Sequence, residues 1–424
     1  MSTKVLDLEI TQPIPDLWEL EAYHDLQILV RHQQQPLGWV YLTHRHAVAL
    51  PAKQLQQAIN EQLSEEIAQA TIEHQLLGHL KPANEVSPPI SVIICVRYPS
   101  TQLQACLNAL LQIDYPNLEV IVVDNTSPSE KAAEWVNQLP IRYIYEENPG
   151  LGCARNRGIA EARYDIVAFI DDDMVVDRCW LAAIAQTFAD PEVMAVTGLA
   201  APAQLTTDAQ YLYEFFYGGM VQKLQPQKIR KDFLAINRLS HWQPVPEKDL
   251  LRMGESVGAT NIAFRRSIFS KIGGFSPVLG INAASHDSNE LELLHRLVTQ
   301  GHTLAYDPAM VVWHTTPPLM SALRQTLYHK NCSLGAFLLT CVLSGRVSWL
   351  SLGRFWVRTW LISQIGRRFL RPGKLPRSLV LFELLGMMMS PWVYMMGHFR
   401  ARKVASLNLN LPEAESASTQ EVTS

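Results

Sequence analysis

The sequence predicts an α/β protein: an open parallel sheet flanked by helices, with a small N-terminal β/α unit before it and a helical region after it. Three observations carry that reading. From Ile90 onward, short and almost wholly apolar runs alternate with segments of helical spacing, as in a sheet covered on both faces. Ahead of them lie two strand-like pieces and a long helical pattern. Behind them the charge balance changes. The 424 residues carry 36 basic and 40 acidic side chains, a net charge of −4. Residues 1–307 hold 23 basic and 36 acidic side chains, whereas 308–382 hold 10 basic and no acidic ones. With 48% hydrophobic and 18% charged residues, the chain can bury a sizeable core. That composition excludes wholesale disorder, collagen, a disulfide scaffold and a multi-span membrane bundle.

The elements follow in order. LQILV (26–30) and LGWVYL (37–42) read as strands, and 51–80 as one or two helices. KPANEVSPP (81–89) is a linker, which sets a first unit at 1–87. ISVIICV (90–96) is a buried strand, 101–112 a helix, LEVIVVD (118–124) a strand and 128–138 a helix. IRYIYE (141–146) and DIVAFID (165–171) are further strands around a helix at 152–162. A helix at 179–189 and a strand at 193–200 come next, but residues 201–256 give no assignment. Leu291, Leu294 and Val298, three and four apart, make 289–299 a helix with Glu290 near its start. The expected units are 88–320 for the sheet, 321–405 for a basic, Trp-rich helical region and 406–424 for a disordered tail.

Six cysteines without a CxxC pair read as reduced thiols, which points to a cytoplasmic protein. The acidic N-terminus does not look like an export signal. The basic region lacks a nucleic-acid motif, so no nucleic-acid partner is expected.

Ligands of open α/β sheets bind outside the carboxyl ends of the strands. Asp171, Asp172 and Asp173 close one strand, and three adjacent carboxylates repel unless a cation such as Mg²⁺ or Mn²⁺ joins them. The bland alternative is a solvated turn. Asp124 closes another strand and reads either as a ribose or base contact or as a helix cap. The segment 147–162 sets glycines beside Arg155, where helix-end amides and a guanidinium suit a phosphate or base. Asn261 and Arg265 are candidate substrate anchors, while Ala263 and Phe264 read as core. His314 ends a strand, either as a ligand or as a partly buried histidine.

The stretch from SVIICVRYPS to VIVVDNTS, then NPGLGCARNRGI and AFIDDDM, resembles the family 2 glycosyltransferases of the GT-A fold. VGATNIAFRRSIFSKIGGFSP (257–277) is similar to that family's acceptor-side segment, and 286–314 to its catalytic helix and closing strand. The resemblance implies a nucleotide-sugar donor, a UDP-sugar by preference. Cys95, Arg97, Asp124, Arg155 and Asp172 would then border the nucleotide, with Asp171 and Asp173 as the DxD motif that holds metal and diphosphate. It also makes His314 a contact to metal or diphosphate. The family's Glu-Asp pair, whose Asp is the base, aligns with Asn289-Glu290 here. Glu290 becomes the catalytic base, with Asp287 as fallback and Asn289 among the substrate contacts. The extra methylene shifts the carboxylate.

The expected reaction is an inverting, single-displacement transfer to a hydroxyl of a glycan, a lipid-linked or a small-molecule acceptor. Absence of the QxxRW motif of processive synthases points to single-sugar transfer. The alternatives are a binding or assembly protein that has lost activity, and a nucleotidyl transferase. Residues 378–397 are long enough for one membrane span, but Glu383 and Pro391 interrupt them. Basic residues interleaved with Trp349, Trp356 and Trp360 suit an anionic membrane surface on the cytoplasmic side.

Overall fold

The structure is a computed structural model that describes residues 2–43, 46–77, 87–97, 100–125, 138–217, 224–230, 233–236, 260–279, 288–366 and 376–408. The N-terminal strands β1 (Thr3–Glu9), β2 (Asp25–His32) and β3 (Gln35–Thr43) form a sheet in that order. Helix α1 (Ala52–Leu77) sets Leu55, Ile59 and Leu63 against Leu26, Ile28, Val30 and Val40. Its backbone leaves helical geometry at Leu63, so the stretch predicted as one or two helices is two helical pieces joined at a kink.

The second sheet holds ten strands. At its centre β4 (Ile90–Val96) pairs in parallel with β5 (Leu118–Asp124) and with β7 (Ile166–Ile170), and β6 (Arg142–Tyr145) extends β5. Strand β12 (Ile262–Arg265) runs antiparallel between β7 and β9 (Val193–Pro202). Strand β13 (Thr303–His314) lies parallel to β9, and β8 (Met174–Val176) adds to its end. Strand β10 (Gln227–Arg230), beside β13, and the edge strand β11 (Phe233–Ile236) fall in the segment that the sequence left unassigned.

Alternation along β4 and β5 explains the two-sided core. Ile90, Val92, Ile94, Val120 and Val122 face α2 (Thr101–Leu111) and α4 (Trp180–Thr187), packing on Leu103, Leu107, Trp180 and Ile184. Ile93, Ile121 and Val123 face α3 (Leu151–Glu161), α6 (Ile268–Ile272) and α7 (Ser288–Thr299), among Ala154, Ile268, Leu293 and Leu297. The predicted helix at 128–138 lies outside the described residues.

A third cluster joins α5 (Asp208–Tyr217) to the C-terminal helices α8 (Met320–Leu343), α9 (Trp349–Arg354) and α10 (Arg377–Asn408); a π-helical stretch, Phe355–Gly366, follows α9. This unit is tied to α7 by Arg346, 2.7 Å from Glu292, and by Phe337, whose ring meets His295 edge-on. Arg31 fastens the N-terminal sheet to the main one, with Nε 2.7 Å from Asp7 and Nη2 2.8 Å from Asp177.

Candidate functional site

Parallel register brings the carboxyl ends of β4, β5 and β7 to one edge: Val96 lies opposite Asp124, and Ile94 opposite Ile170. Cys95, Asp124 and Asp171 therefore share that edge. The loop from β6 to α3 is fixed beneath it by Asn125. Its side-chain amide donates to Glu146 O and Asn148 O, and its Oδ1 accepts from Gly150 N at 2.7 Å. Sequence reasoning passed over Asn125, although Asn directly after a strand-ending Asp is a common loop clamp.

Helix α3 then presents Arg155, 3% exposed, to the same edge. Its Nη2 lies 3.4 Å from Asp171 Oδ1, and its Nη1 pairs with Glu290 Oε1. The guanidinium stacks over Phe275, 5.2 Å from the ring centroid. Phe275 is held in turn by Asn156, which accepts from Phe275 N and donates to Phe275 O. Burial works against the charge of Arg155, but Glu290 and Asp171 more than offset it and raise its pKa. Gly152 permits this approach, because a Cβ there would sit 2.6 Å from Ser276 O and 2.9 Å from Asn289 Nδ2.

Glu290 stands in the first turn of α7 and is 2% exposed. Its partner is the arginine of another helix, which helix-end amides alone did not foretell. Asp171, Asp172 and Asp173 form the turn between β7 and β8. Burial, then the charges of Asp173 and Asp171, push Asp172 up to about 7. His314 Nε2 lies 3.6 Å from Asp173 Oδ2. Burial opposes protonation of His314, yet Asp173 and the buried Glu214 of α5 raise its pKa. Glu214 was beyond reach in sequence, since α5 itself was unassigned.

Other predicted residues fall differently. Asp124 is fully buried and accepts from the Tyr143 hydroxyl, a partner two strands' reading did not supply. Cys95 is half-buried, and burial first of all pushes its thiol up to about 12, so it is an inert wall of the site. Arg97 is exposed just past β4, and Asp287 lies outside the described residues.

The three expected substrate anchors are each engaged by the scaffold. Asn261 is fully buried; its amide accepts from Trp180 Nε1 at 2.9 Å and donates to Met310 O and Leu199 O, joining α4, β9 and β13. Arg265 lies opposite Ile166, at the far end of β7 from the aspartates, and donates to Val193 O, Phe188 O and Asp190 O. Asn289 is fully buried and donates to Leu279 O. These three side chains hold the scaffold.

Among the described residues no three His, Cys, Asp or Glu side chains converge as a metal-ready group. The site is an acidic edge crossed by the buried Arg155.

Residues 91–273 match the model of Glycosyl transferase family 2. The match takes in somewhat less than half of the chain. The putative glycosyltransferase EpsH of Bacillus subtilis is 30% identical over 121 residues, 27% of this chain and 35% of its own length. The pre-mycofactocin glycosyltransferase of Mycobacterium tuberculosis is 24% identical over 259 residues, 60% of this chain and 49% of its own. This chain thus spans half or less of the length of these relatives. The glucosyl-dolichyl phosphate glucuronosyltransferase of Haloferax volcanii is 23% identical over 53% of this chain and 68% of its own. Among solved structures, a mannosyltransferase from Pyrobaculum calidifontis in complex with GDP-Man and Mn²⁺ gives a TM-score of 0.40 at 17% identity, covering 79% of this chain and 82% of that one. A likeness this loose carries no argument of its own.

Proposed function

We propose that the protein is a metal-dependent, inverting glycosyltransferase that moves one sugar per turnover from a nucleotide-sugar, a UDP-sugar by preference, to an acceptor hydroxyl. The observation that supports this reading best is the bridge of Arg155 between Asp171 and Glu290. It joins the carboxylate motif and the base candidate into one site at the strand ends, although 119 positions of chain separate them.

Asp171 and Asp173, with His314 beside Asp173, would hold Mg²⁺ or Mn²⁺. The donor chemistry supports this: hard oxygens suit these ions, and the half-buried Asp172 carboxyl, pushed up to about 7 by burial and then by the charges of Asp173 and Asp171, marks an edge short of positive charge. When bound, the cation would offset the charge of the diphosphate. Glu290 accepts the acceptor's hydroxyl proton as that oxygen bonds to the anomeric carbon. The carbon–oxygen bond to the diphosphate breaks on the opposite side, and its electron pair leaves with the nucleoside diphosphate. One displacement inverts the anomeric configuration. Arg155 fixes the Glu290 carboxylate, and Phe275 fixes Arg155. The acceptor class stays open among glycans, lipid-linked and small-molecule hydroxyls. The name of the Haloferax relative puts its own acceptor on a lipid phosphate.

The test is incubation of native protein with UDP-, GDP- and dTDP-sugars, with Mn²⁺ or with a chelator. Consumption of one donor with Mn²⁺, lost with chelator, is expected. Failure of every donor to bind or turn over with divalent metal would contradict the proposal.

A further inference from the structure

The C-terminal helical unit exposes an ordered apolar face. Along α10, Leu381, Leu385, Met388, Trp392, Met395 and Phe399 are between 41% and 75% exposed. Their spacing alternates between four and three, which aligns them on one side of the helix over about 27 Å. Arg377 is exposed at the start of this stripe, and Arg400 and Arg402 at its end. The preceding helical stretch exposes Trp349 at 65% and Leu350 at 64%. From 308 to 412 the sequence has one acid, Glu383, and it is 2% exposed.

Two features decide what covers this face. Helix α10 is long and apolar enough to cross a membrane, but only by length and composition. Its opposite side lies on the protein. A Cβ on Gly335 of α8 would stand 2.1 Å from Ser390 Oγ, and one on Gly397 would stand 2.7 Å from Val278 O. Near its start, Leu379 and Val380 are buried with Phe355 and Leu323. The helix is thus fastened to the body near both ends and runs along it, which a crossing helix could not do. A second copy is disfavoured by charge, since two such faces would bring arginines together without an exposed acid from this unit to answer them.

We propose that this face docks the protein onto an anionic bilayer. Helix α10 lies in the interface plane with its stripe among the upper acyl chains and its terminal arginines at the headgroups. The proposal stands apart from the catalytic reading, and its test leaves the acidic edge untouched.

Full-length protein is sedimented with vesicles of phosphatidylcholine alone or mixed with phosphatidylglycerol, at low and high salt. Native protein is expected to pellet with the anionic vesicles, less so at high salt, and to stay in solution with neutral ones. The double variant Met388→Glu/Trp392→Glu should bind about tenfold less, since it removes apolar area and adds like charge. Met388→Ser/Trp392→Ser should fall in between and guards against misfolding of the first, with unfolding melts as the check. Equal recovery with both vesicle types, or unchanged binding by both variants, would overturn the proposal. So would a native dimer that these variants make monomeric, which would assign the face to a second copy. Retention of the native protein through alkaline extraction would assign α10 as a span and overturn it as well.

Discussion

A guanidinium enclosed with two carboxylates cannot lose one partner cheaply. Arg155→Ala would take away the guanidinium that pairs with the buried Glu290, and breaking a buried pair in this way costs about 3–5 kcal/mol. Urea unfolding should show that loss. Arg155→Lys keeps the charge but gives up the fork that reaches both carboxylates, so it should retain more stability than Ala while losing turnover. His295 gives a pH prediction. Burial, helped by Arg346, lowers its pKa from 6.5 to about 4. Above pH 6.5 the ring is neutral folded and unfolded, so it contributes nothing. As pH falls from 6.5 to 4, the unfolded chain takes up a proton that the native state refuses. Native stability should drop by about 3 kcal/mol over that window, and His295→Gln should lose this dependence in paired melts. At this scale the sequence singled out Asp171, Arg155 and Glu290 as candidates, because charged groups at strand and helix ends have few structural uses, and the structure sets the three side chains in contact. At Asn261 the sequence leaves the surroundings open. A polar side chain at a strand end looks the same whether it meets a ligand or, as here, joins α4, β9 and β13.

Among the elements, the central strands were legible because burial on both faces makes each a continuous apolar run, as ISVIICV shows. The outer strands β10 and β11 were not. QKIR is buried on alternate residues only, and its partner strand comes from a segment without periodicity. Helix pairing was also invisible. Nothing in the sequence marks Gly335 as the point where α8 meets α10, since the cause is a partner 55 positions away. Gly335→Val should push the two helices apart and cost about 1–3 kcal/mol as an overpacking change, read as a lowered unfolding midpoint. An outcome equal to wild type would mean that the helices meet elsewhere.

Over the whole molecule, the uneven charge of the chain maps onto two structural regions. The acidic part builds the sheet and its carboxylate edge, whereas the basic part builds a helical unit whose single acid is buried. That unit is wired to α7 through Glu292, Arg346, His295 and Phe337, and the N-terminal sheet to the turn after β8 through Arg31 and Asp177. In the proposed function this assembly presents Glu290 as the base of a sugar transfer. Single-turnover transfer by Glu290→Gln, with donor affinity measured alongside, tests it most directly. The account predicts retained donor binding and a rate lower by about 10²–10⁴, the usual contribution of a general base. An unchanged rate would contradict it.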